Sequence, residues 1–264
     1  MNIPKALTIA GSDNSGGAGI QADLKTFSAL GVYGMTAITS LTAQNTTGVY
    51  DLFNPTGEFV YKQIKLIYDD IGIDSAKIGM LANSDILENV AKAIKEFKIE
   101  KLVLDPVLKS TSGKRLLSEI SINLLVKEII PLTLIVTPNI QEAEILADIK
   151  IENWEDIENA AKIINNQGAK IVIIKGGHFG SGKEVVDVVL INGNFHYLRY
   201  PRVDTKNTHG TGCTFSAAIT GYLAKGYSPF KAIRLARAYI QGAIENSLEI
   251  GKGNGPLNHN WINL

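Results

Sequence analysis

Lys101-Leu-Val-Leu-Asp-Pro-Val107 is a short apolar run that ends at a carboxylate followed by proline. The chain has four further short apolar runs that are closed by a polar or glycine residue, at Ala6–Ala10, Ala76–Gly79, Leu134–Thr137 and Ile171–Lys175. Runs of this length and composition are typical of strands that are buried on both faces of a parallel sheet. They therefore predict an α/β fold.

The stretches between these runs have helical spacing. In Asp85–Phe97 the apolar residues recur on one face, and charged residues occupy the other. Two more helices are predicted at about Thr211–Lys225 and Pro229–Leu248. Alternating strands and helices predict a largely parallel sheet with helices on both faces. No linker or repeat interrupts the pattern, so residues 1–264 are predicted to form a single domain.

Two other segments read as strands. Tyr33–Thr42 is rich in β-branched and apolar residues, and Glu184–Tyr200 is predicted to be a hairpin that turns at Asn192-Gly193.

The composition excludes several classes of protein. The 264 residues include 26 basic and 26 acidic side chains and are 45% hydrophobic, which is typical of a packed globule and not of a disordered chain. A net charge of zero argues against an electrostatic nucleic-acid binder. No stretch has the roughly 20 apolar residues of a membrane span. One cysteine precludes an internal disulfide, so we expect a reducing, cytoplasmic location.

The clearest local signal is Asn207–Ser216, where Gly210 and Gly212 precede a helix. The free N–H groups at the start of a helix form an anion site, which suits phosphate. The alternative is that the glycines only cap the helix. Cys213 lies in the first turn, where the helix dipole lowers the pKa of a thiol, although a single cysteine is often a small core residue.

Polar residues follow three other strands, at the edge of the sheet where ligands bind. Lys175 before two glycines suits a phosphate chain, or is a solvated lysine before a turn. Asn139 is predicted to cap a helix. Glu142 is either a favourable first-turn charge or a carboxylate for hydrated magnesium, and Asp105 is a second candidate for that electrostatic role.

Gly17-Ala-Gly19-Ile-Gln-Ala22 loosely matches a dinucleotide-binding fingerprint, which would indicate an NAD-dependent oxidoreductase. That fingerprint needs an acidic residue at the end of the next strand, but Thr42–Asn45 has none there. The oxidoreductase is therefore disfavoured.

As an ordered set, seven motifs resemble the bacterial hydroxymethylpyrimidine/phosphomethylpyrimidine kinases of thiamine biosynthesis, which belong to the ribokinase superfamily. They are Ala10–Asp23, Thr42–Thr46, Lys77–Met80, Asp105–Val107, Thr137–Glu142, Lys175–His178 and Gly210–Cys213. The resemblance implies a three-layer ribokinase-like fold whose central, mostly parallel sheet has about eight strands. It also implies a homodimer that uses ATP and Mg²⁺. Kinases of this family phosphorylate 4-amino-5-hydroxymethyl-2-methylpyrimidine, and then convert its monophosphate to the diphosphate.

The same resemblance implies a pyrimidine pocket. Its residues are Gly11, Asp23, Gln44, Met80 and Val107. The Gln44 amide can both donate to and accept from an aminopyrimidine edge, while Met80 and Val107 offer apolar contact to the ring.

The remaining matched residues surround the phosphates. Asn139 and Lys175, together with Asp105 at its strand end, are expected at the nucleotide, and Glu142 at the magnesium ion. The anion hole is matched by Gly210, Thr211, Gly212 and Cys213. Cys213 stands where most relatives carry an aspartate base, and we expect its pKa to lie near neutral.

Two alternatives remain open at the level of sequence. One is a pyridoxal or pyridoxine kinase, because some relatives with the same cysteine motif accept that ring. The other is a nonenzymatic protein that binds a small molecule. The sequence departs from the family at Asn14 and Lys109, of which Lys109 is a candidate phosphate contact. The glycine-rich segment after the first strand and the loop from Val107 to Gly113 are expected to cover the bound ligands.

Overall fold

The structure is a computed structural model, and it describes residues 3–108, 117–177, 179 and 182–263. Lys109, the remainder of the predicted loop through Gly113, and His178 lie outside the described residues.

The described residues contain one sheet of nine strands in the order β3-β2-β1-β4-β5-β6-β7-β8-β9. The strands are β1 (Lys5–Ser12), β2 (Tyr33–Asn45), β3 (Gly48–Phe53), β4 (Ser75–Ile78), β5 (Leu102–Leu104), β6 (Ile135–Val136), β7 (Ile171–Ile174), β8 (Glu184–Ile191) and β9 (Asn194–Pro201). The six central strands pair in parallel, whereas β3, β8 and β9 pair antiparallel with their neighbours. The mostly parallel sheet is confirmed, and β3 is a strand that the sequence patterns did not reveal.

Helices cover both faces of the sheet and produce the three predicted layers. They are α1 (Gly19–Ala29), α2 (Gly57–Asp70), α3 (Ser84–Glu96), α4 (Glu119–Leu124), α5 (Ile140–Ala147), α6 (Trp154–Asn166), α7 (Thr211–Ala224) and α8 (Pro229–Glu245). A π-helical segment at Leu125–Ile129 and two 3₁₀ segments, at Ile130–Leu132 and Trp261–Asn263, complete the helical structure. One apolar core lies under α2, α3, α5 and α6, and the other under α1, α7 and α8.

Local signals in the sequence account for several boundaries. Asn139 caps α5 through a reciprocal pair of hydrogen bonds with Glu142, as the sequence predicted for the asparagine. Asn192 and Gly193 both have positive φ angles, 50° and 75°, which suits the tight turn between β8 and β9. Within the described ranges, no helix is both long and apolar enough to cross a membrane.

Candidate active site

The N-terminus of α7 meets the glycine-rich loop that follows β1. Gly210 has a φ of +83°, and a Cβ atom there would lie 1.9 Å from the carbonyl oxygen of Gly17. Only glycine fits this close approach of two backbones. Thr211, the first residue of α7, turns its hydroxyl back to donate to the Thr208 carbonyl at 2.7 Å. The predicted anion hole therefore adjoins the glycine-rich loop.

Asp13 organises this loop from within. Its carboxylate accepts the backbone N–H groups of Ser15, Gly17 and Ala18 at 2.8, 3.2 and 2.8 Å. It also lies 2.8 Å from Nε2 of His209. Burial opposes ionisation of Asp13, but hydrogen bonds from His209 and Ser15 outweigh it and hold the pKa well below its usual range. No local sequence pattern indicates this link, because its two residues are 196 positions apart.

The predicted cation and carboxylate meet under the first turn of α7. Lys175 Nζ lies 3.0 Å from Asp105 Oδ1, and the side chain of Asp105 is 3% exposed. A Cβ atom on Gly212 would lie 3.1 Å from that Nζ atom and 3.4 Å from Asp105 Oδ2. Burial opposes the charge on Lys175, but Asp105 and Glu142 raise its pKa above the ordinary value. Lys175, Asp105 and Gly212 thus form one cluster.

Two roles were predicted for Glu142, a favourable charge in the first turn of a helix and a carboxylate for magnesium. Its position in the structure is compatible with both. Its Oε2 atom accepts the Asn139 N–H at 2.8 Å, and Asn139 Oδ1 accepts the Glu142 N–H at 2.9 Å. Burial, reinforced by the nearby charge of Asp105, raises the pKa of Glu142 to about 7. A cation placed beside this buried carboxyl group would favour its charged form.

The donor set fits magnesium bound partly by nucleotide. In the part of the chain that the structure describes, no three His, Cys, Asp or Glu side chains gather to enclose a metal ion. Mg²⁺ usually keeps several waters and takes one or two carboxylates plus substrate phosphates. Glu142 would supply one such carboxylate, and Asp105 is close enough to interact with it electrostatically.

Gly11 and Met80 lie side by side at the ends of β1 and β4. A Cβ atom on Gly11 would stand 3.4 Å from Met80 Sδ. The Met80 carbonyl is held by the Thr39 hydroxyl at 2.6 Å. Val107 is partly exposed just after Asp105, whose carbonyl accepts the Val107 N–H at 2.8 Å. Gly11 and Met80 thus form an apolar surface at the carboxyl edge of the sheet, and Val107 follows the neighbouring β5 at that same edge.

Gln44 lies near the end of β2, beyond the last residue of β1. Its backbone N–H donates to Asn14 Oδ1 at 2.8 Å, so the unusual Asn14 joins the glycine-rich loop to β2. Among the described residues, no side chain or backbone group hydrogen-bonds the side-chain amide of the partly exposed Gln44. That amide is available to a ligand.

Asp23 differs from the other predicted pocket residues because its side chain has no exposed surface. Its carboxylate binds Lys77 Nζ at 2.5 Å and the Thr8 hydroxyl at 2.6 Å. Burial raises the pKa of Asp23, and Lys77 opposes that shift. Asp23 is therefore enclosed with Lys77, which was not among the predicted site residues.

Cys213 is partly buried in the first turn of α7, and the nearby backbone N–H of Gly19 acts to lower the pKa of its thiol. Burial raises the pKa of the thiol to about 11, although the charge of Lys77 opposes the shift. The prediction of a near-neutral thiol is therefore wrong, because the loss of hydration outweighs the favourable helix terminus.

A mostly parallel sheet whose carboxyl edge brings together a glycine-rich helix N-terminus, a lysine and carboxylates is typical of a small-molecule phosphotransferase of the ribokinase-like class. Comparison with known proteins agrees with this class. Residues 13–258 match the family model for phosphomethylpyrimidine kinase. The chain belongs to the phosphomethylpyrimidine kinase family.

Relatives and solved structures cover nearly the whole chain. The hydroxymethylpyrimidine/phosphomethylpyrimidine kinase of Bacillus subtilis is 45% identical over 259 residues, which are 98% of this chain and 96% of the relative. The thiamine biosynthesis bifunctional protein of Geobacter sulfurreducens is 42% identical over 96% of this chain and 51% of its own length. An ADP complex of Bacillus subtilis pyridoxal kinase is 39% identical, with a TM-score of 0.92 and 99% of each chain covered.

Proposed function

We propose that this protein uses ATP and Mg²⁺ to phosphorylate the hydroxymethyl group of 4-amino-5-hydroxymethyl-2-methylpyrimidine, and then its monophosphate, in thiamine biosynthesis. The observation that carries the proposal is the proximity of Gly212, at the start of α7, to the Lys175–Asp105 pair. This proximity places a cation beside the proposed anion hole. The family match and the kinase relatives support the same activity. We propose that residues 1–264 form one catalytic domain.

The chemistry is an in-line transfer. The hydroxymethyl oxygen attacks the γ-phosphorus, the bond from that phosphorus to the ADP oxygen breaks, and the thiolate of Cys213 accepts the hydroxyl proton to become a neutral thiol. Backbone N–H groups from Gly210 to Cys213 stabilise the developing charge, and Lys175 neutralises the phosphates. Glu142 would hold the magnesium ion, which supplies further neutralisation of the nucleotide charge.

The substrate surface is assigned to the other end of this site. Gly11 leaves room for a ring against Met80, and the Gln44 amide is available to pair with an aminopyrimidine edge. We place the reaction in the cytoplasm, where ATP is present and the thiol stays reduced.

A pyridoxal kinase is the second candidate, because the Bacillus subtilis neighbour carries that name. Incubation with MgATP and one alcohol at a time, followed by mass spectrometry, separates the two. We expect phosphorylated pyrimidine, and a diphosphate when the monophosphate is supplied. Products from pyridoxal alone would overturn the pyrimidine assignment, and ATP consumption with no alcohol-dependent product would overturn both.

A further inference from the structure

A lysine without any exposed side-chain surface lies inside the molecule on β4. Lys77 is paired with Asp23 of α1, which is equally enclosed. Burial opposes the charge on Lys77, but Asp23 keeps its pKa above the ordinary value. A buried ion pair of this kind is poor support for stability, because removing two charges from water offsets most of their attraction. The pair therefore calls for a role other than holding the fold together.

The register of β4 places Lys77 below the start of α7. Ser75 is two residues earlier on the same face of the strand, and its hydroxyl donates to the Thr220 carbonyl of α7 at 2.8 Å. Because successive same-face residues advance towards the carboxyl edge, Lys77 points under an earlier turn of that helix. α7 begins at this edge, and its first turn contains Cys213.

Three charged groups act on the thiol from three elements. Lys77 of β4 favours the thiolate more strongly than Asp23 of α1 or Asp105 after β5 disfavours it. Asp23 lies in α1, whose start meets the start of α7, because a Cβ atom on Gly210 would lie only 3.2 Å from the Cα atom of Ala18. Strand β4 and helix α1 thus converge near the first turn of α7.

We propose that Lys77 is a positioning residue for phosphoryl transfer, whose buried ammonium stabilises the thiolate of Cys213 and is itself fixed by Asp23. This inference rests on the proposed function, in which the sulfur accepts the proton of the substrate hydroxyl. The hydroxyl oxygen then forms its bond to phosphorus, ADP leaves with its bond electrons, and Cys213 becomes neutral. Lys77 keeps its proton throughout and touches no substrate.

Alkylation by iodoacetamide measures the thiolate without any need for catalysis. The chain has one cysteine, so the label reports on Cys213 alone. In Lys77→Met we expect the thiol pKa to rise by about one unit or more. Alkylation at an alkaline pH below 11 should then slow at least about threefold, because the loss of thiolate exceeds the gain in its nucleophilicity. The kcat should fall in the same variant, with the KM for ATP unchanged.

Lys101→Met is the matched control. Lys101 also contacts α7, but its Nζ atom donates to the Leu223 carbonyl at the opposite end of the helix, at 3.3 Å. We expect the alkylation rate and kcat of this variant to equal those of the wild type. A slowing equal to that of Lys77→Met would mean that any disturbance of α7 changes the thiol, which would overturn the proposal.

Lys77→Met alone leaves the buried Asp23 without its cation and could misfold. The double variant Asp23→Asn with Lys77→Met avoids this problem, because it leaves no unpaired buried charge. Its alkylation should be slower than in the wild type, though by less than in Lys77→Met, since the opposing effect of Asp23 is also lost. Wild-type alkylation in the folded double variant would overturn the role of Lys77 even if pyrimidine is phosphorylated. If the wild type phosphorylates no pyrimidine while Lys77→Met still slows alkylation, the proposed function fails and the effect of Lys77 on the thiol stands.

Discussion

A thiol whose pKa lies near 11 is mostly protonated at neutral pH, so the proposed role of Cys213 as a base requires surroundings that favour the thiolate. The features near Cys213 that favour the thiolate are the backbone N–H of Gly19, the ammonium group of Lys77 and the first turn of α7. At the scale of the residue, function therefore depends on the balance between burial and neighbouring charge.

The first prediction at this scale concerns the base. Cys213→Ala should lose about 10²- to 10⁴-fold in kcat, the usual contribution of a positioned base, and keep its affinity for both substrates. Cys213→Asp should recover part of the rate, because a carboxylate can accept the same proton. Steady-state kinetics with a binding titration measure both effects. A near-normal kcat in Cys213→Ala would show that the thiol only packs the helix start.

Gln44 gives a prediction about ring choice. Its side-chain amide has no partner in the described part of the chain, so its hydrogen bonds are available to substrate. Gln44→Ala should raise the KM for the pyrimidine by the equivalent of about 1 to 3 kcal/mol and leave ATP binding nearly unchanged. Initial rates with each substrate varied in turn test this split. An equal loss of ATP affinity would contradict the pocket assignment.

Glu142 links function to stability through pH. Its pKa is raised to about 7 in the folded protein from an ordinary 4.5, so the folded state binds the proton more tightly than the unfolded chain. This contribution to stability is fully present below pH 4.5 and is lost as the pH rises through 7.

Glu142→Gln keeps an oxygen for the Asn139 N–H and removes the charge. We expect its free energy of unfolding to exceed that of the wild type by about 1 to 3 kcal/mol above pH 7, and to match it below pH 4.5. Magnesium-dependent activity should fall in the same variant. Denaturant unfolding across this pH range provides the measurement, and a stability difference independent of pH would contradict the buried-carboxyl account.

Single elements show how far the sequence alone can predict this molecule. The cap at Asn139 and the turn at Asn192-Gly193 were predicted because each depends on residues next to one another. Strand β3 was missed, since the two residues between β2 and β3 are Thr46-Thr47, and the asparagine and glycine of a hairpin signal stand outside them at Asn45 and Gly48. The Lys77–Asp23 pair joins positions 54 apart, and no local pattern indicates such a contact.

The antiparallel strand β8 holds the turn after Lys175 in place. Asp187 of β8 accepts the Gly176 N–H at 3.0 Å and pairs with Arg237 of α8 at 2.8 Å. Asp187→Ala should raise the KM for ATP severalfold while the pyrimidine KM stays constant, and Asp187→Asn, which keeps an acceptor, should be affected less. Equal changes in both KM values would indicate general misfolding.

The whole molecule presents an open sheet edge. Strand β3 has no neighbour on its outer side within the described residues, and its Tyr50 and Phe53 are 68% and 69% exposed. An exposed edge strand with large apolar side chains favours pairing with another chain. This edge is also continuous with Gln44 on β2, so association there would lie close to the substrate surface.

We therefore predict a homodimer formed through the β2–β3 edge. Light scattering should give twice the mass of the chain for the wild type, and the double variant Tyr50→Ser with Phe53→Ser should shift the mass towards that of one chain. Ile120→Ser is the matched control, because Ile120 is 70% exposed on α4, away from this edge, and its loss should leave the dimer intact. A monomeric wild type would contradict the prediction outright. Dissociation caused by Ile120→Ser would place the contact on the helical face, and a dimer that survives the double variant would remove β3 from the interface.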